Sequence, residues 1–389
     1  MSDLRRKIRL TRLGAHFVFV GCFAMLGGAL RGFNLLLVVA GLIIGALLMQ
    51  WRWARSACES MSLERQLPDE VFAGQSLRIH YQVANHNRWL TIWLLGIEDR
   101  VSVARSGVIQ PMRTSLSKIR RGATLTVPLE MVATERGQLT FGPSVLSTSF
   151  PLDLLAARIE DKRQPTQLVY PRLFELKRGW QRLLSSRHGG MSNPIQRSGR
   201  SEGDFMGLRE YRIGDKLRWI HWRTTARMDE PVVCQYDQPR RYDLCLLVDA
   251  YLPTPHADDG HVEDAISVAA TIVVQLAAVG SNRIVLAIAG RDPVAAPASG
   301  SIESQRRLLA MLARAEATKN PLFADAMLKA RSTAGRFRDM VVISPRSIED
   351  AMSELPEQTG AQLGTWLRRG ALRWVNVSDP QSSPCFHVS

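Results

Sequence analysis

The sequence predicts a multidomain α+β protein that is anchored in a membrane near its N-terminus. Two long apolar runs lie within the first 50 residues, and short alternating segments broken by Gly, Pro and Asn follow as far as residue 169. Beyond residue 243, strand-length and helix-length segments alternate. We therefore expect a transmembrane hairpin with basic flanks (1–60), a small antiparallel β-sandwich (61–170), an Arg/Trp-rich segment (171–242) and an α/β domain (243–389).

The composition is that of a folded protein. The 389 residues allow two or three domains of roughly 100–200 residues each, and 46% hydrophobic with 22% charged residues excludes wholesale disorder. The net charge of +14 points to a polyanionic partner, either anionic lipid or nucleic acid. Part of the excess flanks the apolar runs and the rest is dispersed without a Lys/Arg block, so we expect no nucleic-acid partner.

The cysteines indicate neither a zinc site nor a redox motif, because they are widely separated and no C-x-x-C pair occurs. This pattern fits a reducing compartment best. The five cysteines are Cys22, Cys58, Cys234, Cys245 and Cys385.

The two apolar runs predict a pair of transmembrane helices. Residues 13–30 and 33–49 each contain a single polar side chain. At about 1.5 Å per residue, each run reaches roughly 25–27 Å, close to the thickness of the hydrocarbon core. The short connection at Arg31 and Gly32 cannot cross the bilayer, so the helices must be antiparallel. We expect residues 13–50 to contact membrane lipid.

Basic residues predict the orientation of the hairpin. They crowd the start of the first run and the end of the second, which places both ends on the cytoplasmic side of a bacterial inner membrane. A cleaved signal peptide is the alternative, but a second apolar run directly after the first argues against it. The basic residues are Arg5, Arg6, Lys7, Arg9, Arg12, Arg52 and Arg55.

Residues 61–169 predict the sandwich. Turn signals separate the candidate strands, and in the first of them Leu77, Ile79, Tyr81 and Val83 share one face. The sequence shows no His, Cys or carboxylate cluster here, so we expect a packing and docking module. The candidate strands are residues 76–85, 91–97, 123–132, 137–141 and 145–148.

Residues 187–241 are the least ordinary stretch of the chain. Basic and acidic residues are interleaved, which favours internal ion pairs such as Arg209 or Arg212 with Asp204 or Asp215.

Two tryptophans in the same stretch, Trp219 and Trp222, lie three residues apart, where Arg218 and Arg223 can stack on their rings. Three interpretations follow: a buried ionic and aromatic clasp, a protein-docking surface anchored by Trp and Arg, or a site for phosphate or nucleic acid.

This stretch resembles the signature of the bacterial domain-of-unknown-function family 58. The order Leu-Arg-Glu-Tyr-x-x-Gly-Asp-x-x-Arg-x-Ile-His-Trp-Arg-x-x-Ala-Arg carries the resemblance, and the layout of the rest of the chain agrees with it. One departure is Ser-Phe-Pro-Leu at residues 149–152, where such proteins have an Asp-Pro-Phe-Gly type turn. The partner-binding or structural signature comprises Arg209, Glu210, Tyr211, Gly214, Asp215, Arg218, Trp219, His221, Trp222, Arg223 and Arg227.

The resemblance also implies a function. Such proteins are commonly linked with a MoxR-type AAA+ ATPase and with transglutaminase-like membrane proteins. It therefore implies a membrane-anchored, non-catalytic scaffold or adaptor that partners such an ATPase in envelope-related assembly or stress tolerance. No cofactor is expected.

Beyond residue 243, the alternation predicts a parallel sheet with helices on both faces. The predicted strands are residues 244–248, 283–289, 340–343 and 372–377, and the predicted helices are residues 262–279, 302–315 and 348–355.

The resemblance implies that this last domain is von Willebrand factor A-like, with Asp249 as the first ligand of its metal site. In that fold the site reads Asp-x-Ser-x-Ser, whose hard oxygen ligands suit Mg²⁺. Here Tyr251 and Pro253 occupy the two hydroxyl positions, so the resemblance implies a degenerate site without a metal.

Motifs for catalysis are scarce. The sequence has no Gly-Lys pair for a phosphate-binding loop, no H-E-x-x-H and no G-x-G-x-x-G, so we do not expect an enzyme. Two alternatives stay open. One is a metal-dependent hydrolase at the cytoplasmic membrane face, with Asp249, His256 and Asp259 as ligands. The other is binding of anionic lipid or nucleic acid through the Arg-rich segment.

Overall fold

The computed structural model describes residues 4–176, 204–213, 215, 217–237, 243–253, 260–277, 283–298, 301–334, 337, 339–378 and 386–387. The chain divides into two compact units, Met1–Leu173 with Leu309–Arg314 and Phe174–Leu308 with Ala315–Ser389. Each unit contains both helix and strand and has its own hydrophobic core.

The first unit combines a helical hairpin with a sandwich of strands. In chain order the elements are β1 (Leu4–Leu10), α1 (Arg12–Arg31), α2 (Asn34–Ser60), β2 (Met61–Gln66), β3 (Val71–Phe72), β4 (Ser76–Asn85), β5 (Ile92–Val103), β6 (Ile109–Ile119), β7 (Thr124–Val132), β8 (Gly137–Phe141), β9 (Ser144–Thr148), β10 (Leu155–Asp161) and β11 (Thr166–Tyr170).

The predicted apolar hairpin is present as α1 and α2, both long and apolar enough to cross a membrane. Gly32 ends α1 at a φ of +69°, where glycine has no steric penalty. Glycines also allow close packing of the helices, since a Cβ on Gly28 would lie 2.9 Å from the Leu37 side chain. Small residues at helix contacts are typical of membrane hairpins.

Two sheets enclose the core of the sandwich. The larger has the order β1-β10-β9-β5-β8-β11-β3 with β6 also paired to β5, and the smaller has the order β2-β4-β7. Strand pairs are antiparallel except β11 with β3. The predicted face of β4 is confirmed, because Leu77, Ile79, Tyr81 and Val83 are all buried in this core.

The N-terminal segment differs from the prediction of a simple basic flank. Residues 4–10 form the edge strand β1, which pairs antiparallel with β10 along its whole length. Leu4 and Ile8 pack against the sandwich core, and so do Ala54 and Ala57 in the last turns of α2, which continues to Ser60. The hairpin and the sandwich are therefore packed as one body within the first unit.

A loop at residues 149–154, here called the collar, binds both helices. The backbone N of Thr11 donates to the carbonyl of Leu154 (3.1 Å). The fully buried Gln50 side chain donates to three carbonyls and accepts from one amide of the collar and the start of β10. These partners are Ser149 O (3.0 Å), Phe150 O (3.1 Å), Leu155 O (3.0 Å) and Leu152 N (3.2 Å).

Beyond β11 the elements are β12 (Glu175–Leu176), β13 (Asp204–Glu210), a 3-10 turn (Leu217–Trp219), α3 (Trp222–Met228), β14 (Val232–Asp237), β15 (Asp243–Asp249), α4 (Gly260–Ala277), β16 (Arg283–Ala289), β17 (Val294–Ala298), α5 (Ile302–Ala313), α6 (Phe323–Ala334), β18 (Asp339–Ser344), α7 (Ile348–Glu354), α8 (Glu357–Arg368), β19 (Leu372–Asn376) and β20 (Phe386–His387).

A five-stranded sheet forms the centre of the second unit, in the order β17-β16-β15-β18-β19. Its four predicted strands are parallel, and the unpredicted β17 pairs antiparallel with β16 at one edge. Residues 244–248 of β15 are all buried, as expected for a strand covered on both faces. The helices α6 and α8 were also not foreseen in the sequence.

Candidate functional site

The Arg/Trp-rich segment contains an antiparallel hairpin with a helical insertion, here called the signature hairpin (residues 204–237). Strands β13 and β14 pair with a bulge between Phe205 and Gly207, and the 3-10 turn and α3 lie between them. The insertion is fastened to β14, since His221 N donates to Val232 O (2.8 Å) and Ile220 bridges to Val233.

An ion pair between Arg209 and Asp215 fixes the turn after β13. The guanidinium donates through Nη1 to Oδ2 (2.7 Å) and through Nη2 to Oδ1 (2.6 Å) of the carboxylate. The backbone N of Arg212 donates to Oδ2 as well (2.9 Å). Hydrogen bonding from Arg209 holds the pKa of Asp215 below its usual range. The structure thus contains one of the ion pairs that the interleaved charges predicted.

His221 caps the N-terminus of α3. Its Nδ1 accepts from the backbone N of Thr224 (3.3 Å) and lies 2.8 Å from Thr224 Oγ1. Thr225 contributes from the same helix, since its Oγ1 accepts from Val232 N (3.0 Å). His221 and Thr225 therefore hold α3 in place on β14.

Several apolar side chains of the signature hairpin are exposed. Trp222 is 67% exposed and Leu217 is 68% exposed, while Ile213 is fully exposed. Trp219 is half-buried, and the Arg218 guanidinium lies 5.7 Å from its ring centroid, as predicted for stacking. Exposed apolar groups on a fixed scaffold favour a docking surface over a buried clasp.

The other residues of the predicted signature lie on or beside the strands and helix of the signature hairpin. Glu210 and Tyr211 follow one another at the end of β13, where Tyr211 N donates to Pro231 O (2.9 Å). Arg223 and Arg227 are exposed on α3. Gly214 lies outside the described residues.

A second cluster of polar groups lies at the carboxyl end of the central sheet. Asp249, fully buried at the end of β15, accepts through Oδ2 from Ser344 Oγ (2.9 Å) and Arg346 Nε (2.9 Å). The Arg346 guanidinium also donates to Glu354 Oε2 (2.6 Å) and lies 3.9 Å from the Tyr251 ring centroid. The Arg346 guanidinium therefore contacts both the Asp249 carboxylate and the Tyr251 ring.

Burial raises the pKa of Asp249, and the neighbouring Arg346 and Ser344 oppose that shift. The second carboxylate oxygen, Oδ1, has no hydrogen-bond partner in the part of the chain that the structure describes. Trp374 Nε1 donates to Arg346 O (2.9 Å), which helps to fix the arginine backbone.

The donors around Asp249 do not suit a divalent cation. Mg²⁺ requires several oxygen ligands in near-octahedral geometry, whereas the positive guanidinium of Arg346 occupies one side of this carboxylate. Within the described ranges, no group of three or more His, Cys, Asp or Glu is arranged to hold a metal ion. His256 and Asp259, the other ligands of the predicted hydrolase site, lie outside those ranges.

Two further patterns bear on catalysis. In the sandwich, Ser62 Oγ lies 3.0 Å from His86 Nε2, beside a cavity of about 790 Å³. No carboxylate orients His86 among the contacts that the structure gives it, so the pair lacks the third group of a catalytic triad. The sequence also contains one G-x-S-x-G pattern at residues 199–203, which lies outside the described residues.

The sequence interpretation missed Arg346, Ser344 and Glu354. A signal was present, because Ser344 and Arg346 directly follow a predicted strand, and the carboxyl ends of parallel strands meet at one edge of a sheet. The exposure of Ile213 and Leu217 had no comparable signal in the sequence.

Comparison with known families agrees with the resemblance seen in the sequence. Residues 207–362 match the family described as "Protein of unknown function DUF58", which confirms that resemblance for this part of the chain. No curated protein matches the chain.

Solved structures show only partial likeness. A β-glucosidase from Listeria innocua is 16% identical with a TM-score of 0.19, and the match covers 28% of this chain and 16% of the glucosidase. A CARDB domain from Pyrococcus furiosus is 11% identical with a TM-score of 0.18, covering 26% and 85%. The sporulation control protein Spo0M from Bacillus subtilis is 9% identical with a TM-score of 0.18, covering 28% and 49%. Likenesses this low carry no argument about function.

Proposed function

From the family match and the exposed signature hairpin, we propose that this chain is a membrane-anchored, non-catalytic adaptor. It is held in a bacterial inner membrane by α1 and α2, with its soluble region in the cytoplasm. It partners a MoxR-type AAA+ ATPase, alongside other membrane proteins, in envelope-related assembly or stress tolerance. The observation that carries the proposal is the exposure of Trp222, Leu217 and Ile213 on a hydrogen-bonded frame.

The chemistry of the signature hairpin suits a protein partner. Trp and Arg are the residues that most often dominate binding energy at protein interfaces, and here Trp222 is exposed next to Arg223. The ion pair between Arg209 and Asp215 already fixes the turn after β13 in the unbound chain, which lowers the conformational entropy lost on association. The ATPase as partner follows from the family resemblance.

We also propose that the second unit is a von Willebrand factor A-like domain in which Arg346 takes the place of the cation. Supporting this, Asp249 ends the central parallel strand, and Arg346 neutralises it from the neighbouring strand end. Addition of excess Mg²⁺ or EDTA is therefore expected to leave the melting temperature of the purified chain unchanged. Stabilisation by Mg²⁺ would contradict the proposal.

The same geometry counts against the alternative functions. A hydrolase that uses Asp249 as a metal ligand would have to displace a buried guanidinium from it. Binding of a polyanion through the Arg-rich segment would have only part of its arginines available, because Arg209 is paired with Asp215 and Arg218 stacks on Trp219, while Arg223 and Arg227 are exposed.

Co-purification from detergent-solubilised membranes tests the adaptor. Wild type is expected to retain the AAA+ ATPase, and Trp222→Ala combined with Leu217→Ala is expected to reduce its recovery by at least tenfold, which corresponds to about 1.4 kcal/mol. The matched control is Val108→Ala combined with Ile109→Ala, which removes two apolar side chains that are 49% and 64% exposed in the sandwich, away from the signature hairpin. Equal loss in both variants, or no ATPase with wild type, would contradict the proposal.

A further inference from the structure

Four segments of the sandwich lie near the level where the helices leave the apolar runs; two of them contact the hairpin directly and the other two attach to those segments. The collar binds Thr11 and Gln50, as described above. The Phe150 ring lies 6.1 Å from the ring of Trp53 on α2 and 6.1 Å from that of Trp93 at the start of β5.

The two remaining segments are the loop before β5 and the turn after β6. Asn87 Nδ2 donates to Ser56 Oγ on α2 (2.7 Å). The turn then attaches to this loop, because Gly122 N donates to Asn87 O (3.0 Å).

This level coincides with the ends of the apolar spans. Thr11 lies just before the first predicted span, and Gln50 directly follows the second. Trp53 is three residues further along α2, roughly 4.5 Å beyond Gln50, and Ser56 is six residues further, roughly 9 Å beyond it. If α1 and α2 cross a bilayer, the segments that touch these residues lie at its surface.

The exposed side chains at this level are aromatic, apolar and basic. Trp89 is 89% exposed, Leu94 is 65% exposed and Leu152 is 41% exposed. Lys118 Nζ lies 5.3 Å from the Trp93 ring centroid. We call residues 11–12, 50–53, 86–94, 118–123 and 149–154 the membrane rim. Its exposed basic residues are Arg12, Arg52, Arg88, Lys118, Arg120 and Arg121, against the single acidic residue Asp153.

We infer that the membrane rim of the sandwich lies in the headgroup layer of the bilayer and binds anionic lipid. Tryptophan, Lys and Arg favour this layer. The aromatic ring is apolar on one side and polar on the other, and the basic groups bind lipid phosphates. The inference rests on the proposed membrane anchoring. It adds a second contact with lipid, made by the folded sandwich as well as by the spanning helices.

Photocrosslinking tests this inference. The full-length chain, carrying benzoylphenylalanine at one position, is reconstituted in vesicles of phosphatidylcholine and phosphatidylglycerol in equal amounts. Replacements at Leu94 and Leu152 are expected to give lipid adducts by mass spectrometry. The matched control is Ile109, also exposed, at the opposite end of the β5–β6 ladder, where its partner Ser102 is eight residues, or roughly 27 Å, from Leu94. It is expected to give none.

A replacement at Leu42, exposed in the middle of the second apolar run, separates the two proposals. Adducts at Leu42 without adducts at Leu94 and Leu152 would contradict the inference that the membrane rim contacts lipid, but would still support the proposed membrane anchoring. Absence of adducts at Leu42 would overturn the anchor and the rim together. In native membranes, a protein adduct at Leu94 in place of lipid would also overturn the rim.

The charge of the rim gives a second readout in the same vesicles. The variant Lys118→Gln, Arg120→Gln, Arg121→Gln is expected to lower the ratio of phosphatidylglycerol to phosphatidylcholine adducts at Leu94 severalfold. Arg113→Gln, further along the same strand, is the control and should leave the ratio unchanged. An unchanged ratio in the triple variant would contradict the preference for anionic lipid.

Discussion

The guanidinium of Arg346 joins two carboxylates of different exposure, Asp249 at 0% and Glu354 at 53%. The buried contact and the exposed contact differ in energy, because water screens an exposed pair but not a buried one. The functional consequence is that the carboxyl end of the sheet is held by the chain's own side chains.

Truncating Arg346 and truncating Glu354 in separate variants distinguishes these two contributions. Arg346→Ala leaves the Asp249 carboxylate buried and unpaired, so we expect a loss of about 3–5 kcal/mol in the free energy of unfolding. Glu354→Ala, the matched control, is expected to cost below about 1 kcal/mol. Urea denaturation of the two variants measures the difference, and equal costs would show that Asp249 and Arg346 do not interact as described.

The same pair predicts a pH dependence. Burial keeps the folded pKa of Asp249 above its ordinary value of 3.8, so stability from the protonated form is fully present below the unfolded pKa and is lost as pH rises toward the folded value. Removal of Arg346 should enlarge this loss. Urea midpoints of Arg346→Ala are expected to fall as the pH rises above 3.8, and to fall more steeply than those of wild type. A fall of the same size in the double variant Asp249→Asn, Arg346→Ala would assign the slope to other groups.

Single residues were the hardest level to predict. The sequence placed Asp249 at the end of its strand, because an apolar run ends there. It did not identify Arg346, which is 97 residues away, since the pairing of strands β15 and β18 brings the two together. Trp222 is similar, because a tryptophan in a mixed polar segment is equally consistent with a clasp and with an exposed anchor.

At the level of elements, the collar determines how the hairpin meets the sandwich. It approaches α1 so closely that a Cβ on Gly14 would lie 2.0 Å from the Leu154 carbonyl oxygen. Only glycine allows this approach between two backbones. In contrast, Gly27 on the same helix has no atom within 4 Å of such a Cβ.

These two glycines give a matched test of the collar. Gly14→Ala is expected to lower the free energy of unfolding by about 1–3 kcal/mol, because the collar or the helix must shift. Gly27→Ala is expected to be neutral or slightly stabilising, as alanine favours a helix. The melting temperatures of both variants in one detergent provide the comparison. A stable Gly14→Ala variant would show that the collar is not packed on α1.

Elements with a strong sequence pattern were predicted well. The ten-residue alternation of β4 and the apolar run of β16 gave their bounds, because each strand has one clear pattern of burial. Strand β1 was missed, since Arg and Lys at most of its positions indicate a membrane flank. The collar could not be foreseen, because Gln50 and its partners are about a hundred residues apart.

At the scale of the whole molecule, the basic residues around α1 and α2 predict the orientation in the membrane. A fluorescent protein that folds only in the cytoplasm, fused after Ser389, is expected to be bright, and alkaline phosphatase fused there is expected to be inactive. The opposite pattern would place the soluble region outside the cytoplasm, and the partnership with a cytosolic ATPase would then fail. A fusion within the turn at Gly32 serves as the control and should show the reverse behaviour.

The collar has a mechanical consequence for the proposed membrane anchor. Thr11 and Gln50 are fastened to the same loop, so traction on the sandwich reaches both helices in parallel. As long as these hydrogen bonds to the collar persist, neither helix can leave a bilayer before the other. If α1 and α2 span a bilayer, extracting the chain therefore requires withdrawing both helices in a single step.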